Sequence, residues 1–457
     1  MSGPKSTNYR LESRIQRMIR EDIACTQQCK ACSDAIQAAM VAVNAQLAEL
    51  QRQIDRLTEY ADRAAVNQEK VREARMQLEQ MEKTVQQMRE QYQIENAKNV
   101  SGLVVTEASL ATKRAKLSKL RNIQSKLDQT SRQAKTEAIS AGRMVKERNA
   151  QIDQSIAKDL QGVSFFIADE QVKTSKRNTS VDIEKDKQEL HAMLQQFVQD
   201  GLTSEVYQHV KQAMLELSRI VQASYLHTFK AVTLERIKKE VDECRLLLAK
   251  QQKEYSEQYS RYAALCELLS VSCKDFEQTN DGINQLKAEA DAMEVVAAAQ
   301  RERAYIAKCV DETMAEMGYK VIGSRDVRKK SGKHFRNELY TFNEGSAVNI
   351  TYASDGQITM EVGGLSHGDR LPDANEAQQL TEDMDAFCSE FKVFEAKLKE
   401  KGVLVGERIQ LLPPSFEYAQ IINVDDYELR GEDGIQEIAV RDRDYGVSEK
   451  KVLRRDV

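Results

Sequence analysis

The chain has 457 residues, of which 41% are apolar, 30% are charged and only 6% are aromatic, and it contains no tryptophan. So little aromatic material beside so much charge argues against one large globular core and favours long helices. The formal net charge of −5 is small for this length, so the chain as a whole lacks the charge excess of a nucleic-acid binder.

The sequence also bears on the compartment. The first residues, MSGPKSTNYRLESRIQ, are polar and lack the apolar stretch of a signal peptide. No run approaches the ~18 apolar residues that a membrane span requires. We therefore expect a cytoplasmic protein without stable membrane insertion, in which the eight cysteines are reduced thiols.

Proline and glycine divide the chain into two regions. No proline occurs between Pro4 and Pro372, and proline costs roughly 3 kcal/mol inside a helix. Five glycines lie between Pro4 and Met317, whereas thirteen follow from Gly318 onward. The predicted fold is mostly α: a long antiparallel coiled-coil or helical-bundle rod, followed by a small C-terminal α+β domain with an antiparallel sheet.

The N-terminal region, residues 8–160, is predicted to be a long helical hairpin. Residues 8–97 are interpreted as one helix, because apolar side chains recur at alternating steps of four and three. These seam positions are Ile36, Met40, Val43, Leu47, Leu50, Ile54, Leu57, Ala61 and Ala64. The seam then shifts before it resumes at Met81, which we interpret as a stammer. Residues 96–102 combine Asn, Ser and Gly and predict a turn into a second helix, residues 104–160.

The next segments follow from the unequal arms of this hairpin. Residues 8–41 are expected to overhang the second helix and to need another surface to cover them. Residues 161–182 are predicted to be a linker, since they are polar and basic after a pair of phenylalanines. Residues 183–316 are predicted to be a second helical or coiled-coil region, with breaks near residues 200–205 and 280–284.

Residues 317–457 are predicted to form the α+β domain. Strand-like alternation recurs in this region, and Asp355-Gly356 is a strong hairpin signal. Asp373 and Glu376 have the spacing of a capping box at the start of a long helix. Because this domain differs in composition from the helices before it, we expect it to act as the partner-recognition module.

The stretch CTQQCKAC, residues 25–32, has the spacing Cys-x3-Cys-x2-Cys and resembles the cluster-binding signature of radical-SAM enzymes. That resemblance implies three cysteines on a loop inside an α/β barrel. Here the flanks are helical, and Ala31 stands where that family usually has an aromatic residue. Because the steps i, i+4, i+7 also describe one helical face, and free cysteine packs as a small hydrophobe, we predict no cofactor. A zinc site shared with another chain is the alternative.

The predicted helix-packing face continues from these cysteines into the seam. Its members are Cys25, Cys29, Cys32, Ile36, Met40, Val43 and Leu47. The spacing places them on one side of the first helix, so we expect them to pack against the second helical region or another chain.

A basic patch lies in SRDVRKKSGKHFR, residues 324–336, where a β-hairpin is predicted. Its cations are Arg325, Arg328, Lys329, Lys330, Lys333 and Arg336. Clustered on a hairpin, these side chains suit phosphates, an acidic protein surface, or plain solvation. The patch is therefore a candidate for partner or phosphate binding.

Catalytic patterns are weak in this sequence. Residues 363–372, GGLSHGDRLP, are predicted to form a glycine-rich loop. In the stretch 366–373, His367 lies beside Asp369 and Arg370, and loops after strands often hold catalytic groups. Turn and capping roles explain much of the same loop. The sequence therefore predicts a non-enzymatic coiled-coil scaffold subunit of a larger cytosolic complex. The alternatives are a nucleic-acid-associated accessory protein acting through residues 324–336, and an enzyme acting through the loop.

Overall fold

The computed structural model describes residues 3–61, 68–98, 102–163, 175–199, 201–328 and 334–429. The chain is mostly α, with 72% of it helical, and an antiparallel sheet of several strands follows in the C-terminal region. The predicted fold class is thus confirmed. In the described ranges, no helix combines the length and the apolar character needed to cross a membrane.

The helices are α1 Ser13–Ala61, α2 Gln68–Ala97, α3 Glu107–Val163, α4 Ser175–Gln199, α5 Ser204–Arg219, α6 Ala223–Thr228, α7 Glu235–Leu269, α8 Asn280–Glu316 and α9 Ala374–Glu400. The strands are β1 Lys5–Leu11, β2 Val321–Arg328, β3 His334–Thr341, β4 Ser346–Ala353, β5 Gln357–Ser366, β6 Val403–Leu411, β7 Ile421–Asn423 and β8 Glu428–Leu429. The chain separates into two compact units. The sheet unit comprises Met1–Ile23, Ser101–Ala111 and Val296–Val457, and the helical unit comprises Ala24–Val100 and Thr112–Val295.

In the helical unit, α2 folds back along α1. Arg75 Nη2 on α2 donates to Thr58 Oγ1 at 3.1 Å, near the end of α1. At the other end of α2, the hydroxyls of Tyr92 and Ser33 are 2.6 Å apart. As the residue numbers rise along one helix they fall along the other, so the two helices are antiparallel.

The third helix then runs parallel to α1. Lys113 Nζ donates to Thr26 Oγ1 at 3.0 Å, and Ser131 Oγ donates to Gln46 Oε1 at 2.7 Å. The prediction of one helix over residues 8–97 with a single hairpin turn is therefore wrong, because the chain reverses twice. Apolar residues recur at steps of three and four both in one continuous helix and in two helices that pack against each other. Residues 62–67 contain neither proline nor glycine to mark the reversal between α1 and α2.

The seam is buried between these three helices. Ile36, Val43 and Ile54 are fully buried, and Leu120 and Leu127 of α3 lie in the same core. Because α2 and α3 both reach the first half of α1, residues 24–41 are not the uncovered overhang that a single hairpin would leave. The three-helix arrangement buries a stripe that a two-helix pair would have exposed.

A second apolar core joins α4, α5, α6 and the first half of α7. Its most buried members are Leu194, Val210, Ile237 and Val241. Residues Phe229–Leu234, between α6 and α7, form a π-helical segment. Such segments are rare and often occur at functional sites.

Helices α7 and α8 run parallel, which a short turn cannot achieve. After α7 the chain returns along it in an extended segment, where Phe276 O accepts from Tyr255 Oη and Gln278 O accepts from Gln251 Nε2, each at 3.0 Å. The break predicted near residues 280–284 is thus wrong, since it lies at residues 270–279. Gly282 belongs to the first turn of α8, where a Cβ would lie 2.1 Å from the carbonyl oxygen of Glu277.

The sheet has the strand order β6-β1-β5-β4-β3-β2-β8. These neighbours are antiparallel, and β7 adds to β5 in parallel. Helix was expected from residue 8, but residues 5–11 form β1 and α1 begins at Ser13. The apolar residues of this stretch fit either period, and pairing with two distant strands favours the extended form.

Helices and the C-terminal segment cover opposite faces of the sheet. On the helical face, the ammonium of Lys5 lies 4.8 Å and 5.0 Å from the ring centroids of Phe387 and Phe391 of α9. Burial there lowers the pKa of Lys5. On the other face, Leu339 packs with Tyr427 of the segment after β6. The sheet is therefore covered on both sides, which explains why so many of its residues are buried.

Two local predictions in this unit are confirmed. Asp373 and Glu376 form the capping box at the start of α9. Gly356 adopts φ = 92° at the hairpin turn between β4 and β5, a conformation that glycine adopts without a steric penalty. By contrast, Gly363 and Gly364 were predicted to lie in a loop, but they lie within β5. Glycine is needed at both positions because β7 packs so closely that a Cβ would lie 2.7 Å from an isoleucine side chain.

Candidate functional site

The basic patch lies on the β2–β3 hairpin, and its described side chains have partners inside the domain. Arg325 Nη1 lies 2.9 Å from Asp426 Oδ2, and its guanidinium stacks 4.7 Å above the ring of Tyr427. Arg336 forms an ion pair with the buried Glu338. The side chain of Arg328, together with Lys329, Lys330 and Lys333, lies outside the described residues. The candidates with described side chains are therefore already neutralised by acids of the same chain.

Beside this hairpin is a buried acidic and phenolic cluster that sequence reasoning missed. The hydroxyls of Tyr340 and Tyr352 donate to Asp311 Oδ1 at 2.6 Å and 3.0 Å, which ties β3 and β4 to α8. Glu338 Oε2 is 2.9 Å from the same Tyr340 hydroxyl. Burial raises the pKa of Glu338 and the pKa of Tyr340.

Opposing influences act on Glu338 in this cluster. Burial and the neighbouring Asp311 raise the pKa of its carboxyl group, whereas the ion pair with Arg336 lowers it. The phenol of Tyr340 makes its shorter hydrogen bond to Asp311. The hydrogen bonds of the cluster connect α8 to β3 and β4. The hydropathy pattern of the strand HFRNELYT does not reveal this cluster.

The loop proposed for catalysis is held together by structural contacts. His367 Nδ1 lies 2.8 Å from Asp425 Oδ1, and Asn423 Nδ2 donates to Asp369 at 3.2 Å. Arg370 makes two hydrogen bonds to Glu376, at 2.7 Å and 2.8 Å. The structure thus places the candidate residues of this loop in contact with residues of neighbouring elements.

The cysteine face lies along α1 within the helical unit. Cys25 is buried, and Cys29 and Cys32 are half-buried against the three-helix core. Burial raises the pKa of Cys29 and the pKa of Cys32, so both thiols favour the protonated form. Among the described residues, no group of three histidine, cysteine or acidic side chains is placed to hold a metal ion.

The rest of the predicted packing face continues in register. Ile36, Val43 and Leu47 are buried in the same core, and Met40 is partly buried beside them. Their partners are α2 and α3 of the same chain. The face therefore supplies packing within the helical unit.

Exposed apolar side chains occur on α5, in the connection between α5 and α6, on α6 and in the π-helical segment. Four large apolar side chains are exposed there: Leu215 at 59%, Val221 at 83%, Tyr225 at 63% and Val232 at 63%. The same segment also contributes Phe229 and Leu234 to the second core. We call the four exposed residues the apolar stripe.

No protein-family model, no curated protein and no solved structure matches this chain. The class that can be defined is therefore structural: a mostly α protein with a helical unit built from long helices and a sheet unit covered by helices on one face.

Proposed function

We propose that the chain is a non-enzymatic structural subunit of a larger assembly, which binds a helical partner chain through the apolar stripe. The observation that carries the proposal is the exposure of the stripe. Single exposed apolar side chains are common, whereas these four lie within eighteen positions of the sequence, from Leu215 to Val232. A concentration of exposed apolar side chains is a feature of interaction sites. The sheet unit is the second recognition module of this subunit.

The stripe suits a helix as its partner. An apolar surface can receive the apolar face of an amphipathic partner helix, and Val221, in the connection between α5 and α6, and Tyr225 of α6 supply exposed apolar side chains for such contacts. The π-helical segment widens the backbone beside Val232. Burying one such side chain contributes about 1.5–3 kcal/mol before the cost of association is subtracted. The stripe as a whole is thus enough to anchor one helix.

Two further observations support a structural role. The polar side chains of the 366–373 loop bind one another and neighbouring elements. In the described part of the chain, metal-ligating groups do not converge. The chemistry of these residues is accounted for by folding contacts, which is the pattern expected of a scaffold and not of a catalyst.

The test uses the tagged full chain expressed in cells of its own source. A Val221→Ser, Tyr225→Ser, Val232→Ser variant should lose a stoichiometric partner that the parent chain retains through size-exclusion chromatography with light scattering. The matched control replaces three exposed apolar residues elsewhere in the helical unit, Val41, Met76 and Ile139, with serine and should keep the partner. Equal retention by both variants, or a parent chain that always elutes as a bare monomer, contradicts the proposal.

The nucleic-acid alternative is tested with the same protein. Arg325 and Arg336 are paired inside the chain, so phosphate binding would depend on the other cations of the patch, Arg328, Lys329, Lys330 and Lys333. Reversing the charges of Arg328, Lys329 and Lys330 to Glu should abolish any binding of duplex DNA or RNA that weakens with salt. A parent chain that binds neither nucleic acid at low salt removes the alternative.

A further inference from the structure

A small pocket opens in the sheet unit between α9, β5 and the turn after β3. It encloses about 150 Å³. Leu365, Leu380 and Ile421 form its apolar wall, and Ser346 and Asp383 bring polar groups to its interior. Leu380 and Asp383 are buried on the same side of α9.

The acids of the pocket are not balanced by its cations. The only lining cation in the described chain, Arg370, makes two hydrogen bonds to Glu376. Glu376 Oε2 also accepts from the backbone of Asp373, so the arginine and this carboxylate satisfy each other. Two carboxylates are left without a counter-charge: Asp383 in the interior and Glu344 at the exposed rim.

The burial and hydrogen bonding of Asp383 are the reason to expect a ligand in this pocket. The residue is only 6% exposed, and its Oδ1 accepts a hydrogen bond from the neutral amide of Asn343 at 2.6 Å. Among the described residues its other oxygen has no hydrogen-bond partner. That oxygen is also not sealed from solvent. A buried carboxylate is costly unless it is paired, and the pocket beside it has room for the missing donor.

The pocket size narrows the class of ligand. Sites for drug-sized molecules and cofactors usually enclose about 300–1,000 Å³, so a cavity of about 150 Å³ is too small for a nucleotide. It does accommodate one cationic head group with a short aliphatic chain against the leucine and isoleucine wall. We propose that the pocket binds a small guanidinium or primary ammonium group, with Asp383 as its buried counter-ion and Glu344 at the entrance.

This site is independent of the apolar stripe, which lies in the helical unit. The same cationic group occurs in free small amines and in the arginine side chains of polypeptides. The test therefore has two arms: agmatine as the free cation, and the capped tripeptide acetyl-Ala-Arg-Ala-amide as the polypeptide source. For ligands of this size we expect a Kd between about 0.1 and 10 mM.

Binding to the full chain is followed by NMR of methyl-labelled isoleucine and leucine. Either probe should shift the methyl signals of Ile421, Leu365 and Leu380. The probe with the lower Kd shows whether the natural ligand is a free small amine or an arginine side chain of a polypeptide. Asp383→Asn keeps the acceptor for Asn343 but removes the charge, and it should weaken binding about ten-fold or more.

The controls separate binding from folding. Asp385→Asn changes an exposed acid of the same helix and should leave the affinity unchanged. If Asp383→Asn does not fold, Glu344→Gln at the exposed rim should still weaken binding about two- to three-fold, as expected for a solvent-exposed pair. Absence of methyl shifts with both probes up to about 50 mM, well above the expected Kd, overturns the proposal, as does equal binding by all acid variants.

Discussion

The buried ion pair between Asp22 and Arg301 should be a major determinant of stability in the sheet unit. Asp22 of α1 is 1% exposed and Arg301 of α8 is 4% exposed, and the two charges lie in direct contact. Burial lowers the pKa of Arg301. The test is a double-mutant cycle in which Asp22 and Arg301 are replaced singly and then together.

The burial of the two side chains determines the magnitude. Removing one partner strands the other charge in a dry environment, and such changes cost about 3–5 kcal/mol. The Asp22→Leu and Arg301→Met variants should each lose about that much, equivalent to roughly 10 °C in Tm for a unit of this size. The double variant has no stranded charge, so it should recover most of the loss or exceed the parent chain.

The assay combines thermal unfolding by circular dichroism with amide hydrogen exchange of peptides from α1 and α8. The exposed pair of Arg14 and Glu107, also in the sheet unit, is 72% and 77% exposed and serves as the matched control. Arg14→Met should cost less than about 1 kcal/mol. The coupling energy from the double-mutant cycle isolates the pairwise contribution.

A loss of stability in either single variant no larger than that of Arg14→Met would contradict this prediction. That result would mean that the buried charges are hydrated in the native state. The prediction is equally refuted if the two single losses simply add in the double variant, because the pair would then carry no interaction.

Three further predictions concern titration, backbone packing and thiol reactivity. Burial raises the folded-state pKa of Glu338 above its unfolded value. The free energy of unfolding should therefore fall as the pH rises from about 4.3 through the folded-state pKa. Urea titrations at several pH values should show a smaller decline for Glu338→Gln than for the parent chain. Gly406→Ala should destabilise the chain by about 1–3 kcal/mol, because the new Cβ would lie 2.7 Å from the carbonyl oxygen of Asn8. Gly142→Ala in α3, where the new Cβ would make an ordinary contact of 3.7 Å with Gln53, should stabilise the chain by up to about 1 kcal/mol. Chemical denaturation measures the sign of each change in the free energy of unfolding. Cys29 and Cys32 should react with iodoacetamide more slowly in the native chain than in guanidinium, because burial raises the pKa of each thiol, and equal rates by peptide mapping would contradict their packing against the core.

Local physical chemistry made much of this fold predictable from sequence. The absence of proline over most of the chain and the apolar periodicity identified long helices, and the change in glycine content located the onset of the sheet. The Asp373 capping box and the Asp355-Gly356 turn were read correctly, because each depends on a few neighbouring residues. The candidate cations were found the same way, from side-chain type alone.

Tertiary structure decided the direction and partners of these elements. Residues 8–11 fit a helix by their spacing, yet pairing with β5 and β6 makes them part of a strand. Packing of the apolar seam places α2 antiparallel to α1. The extended segment at residues 270–279 runs back along α7, so α8 begins beside the middle of α7 and runs parallel to it. Arg325 was identified by its charge, but only the fold placed Asp426 beside it. The physical reason is that hydrophobic periodicity reports which face of an element is buried, whereas the surface that buries it lies far away in sequence and is chosen by packing of the whole chain.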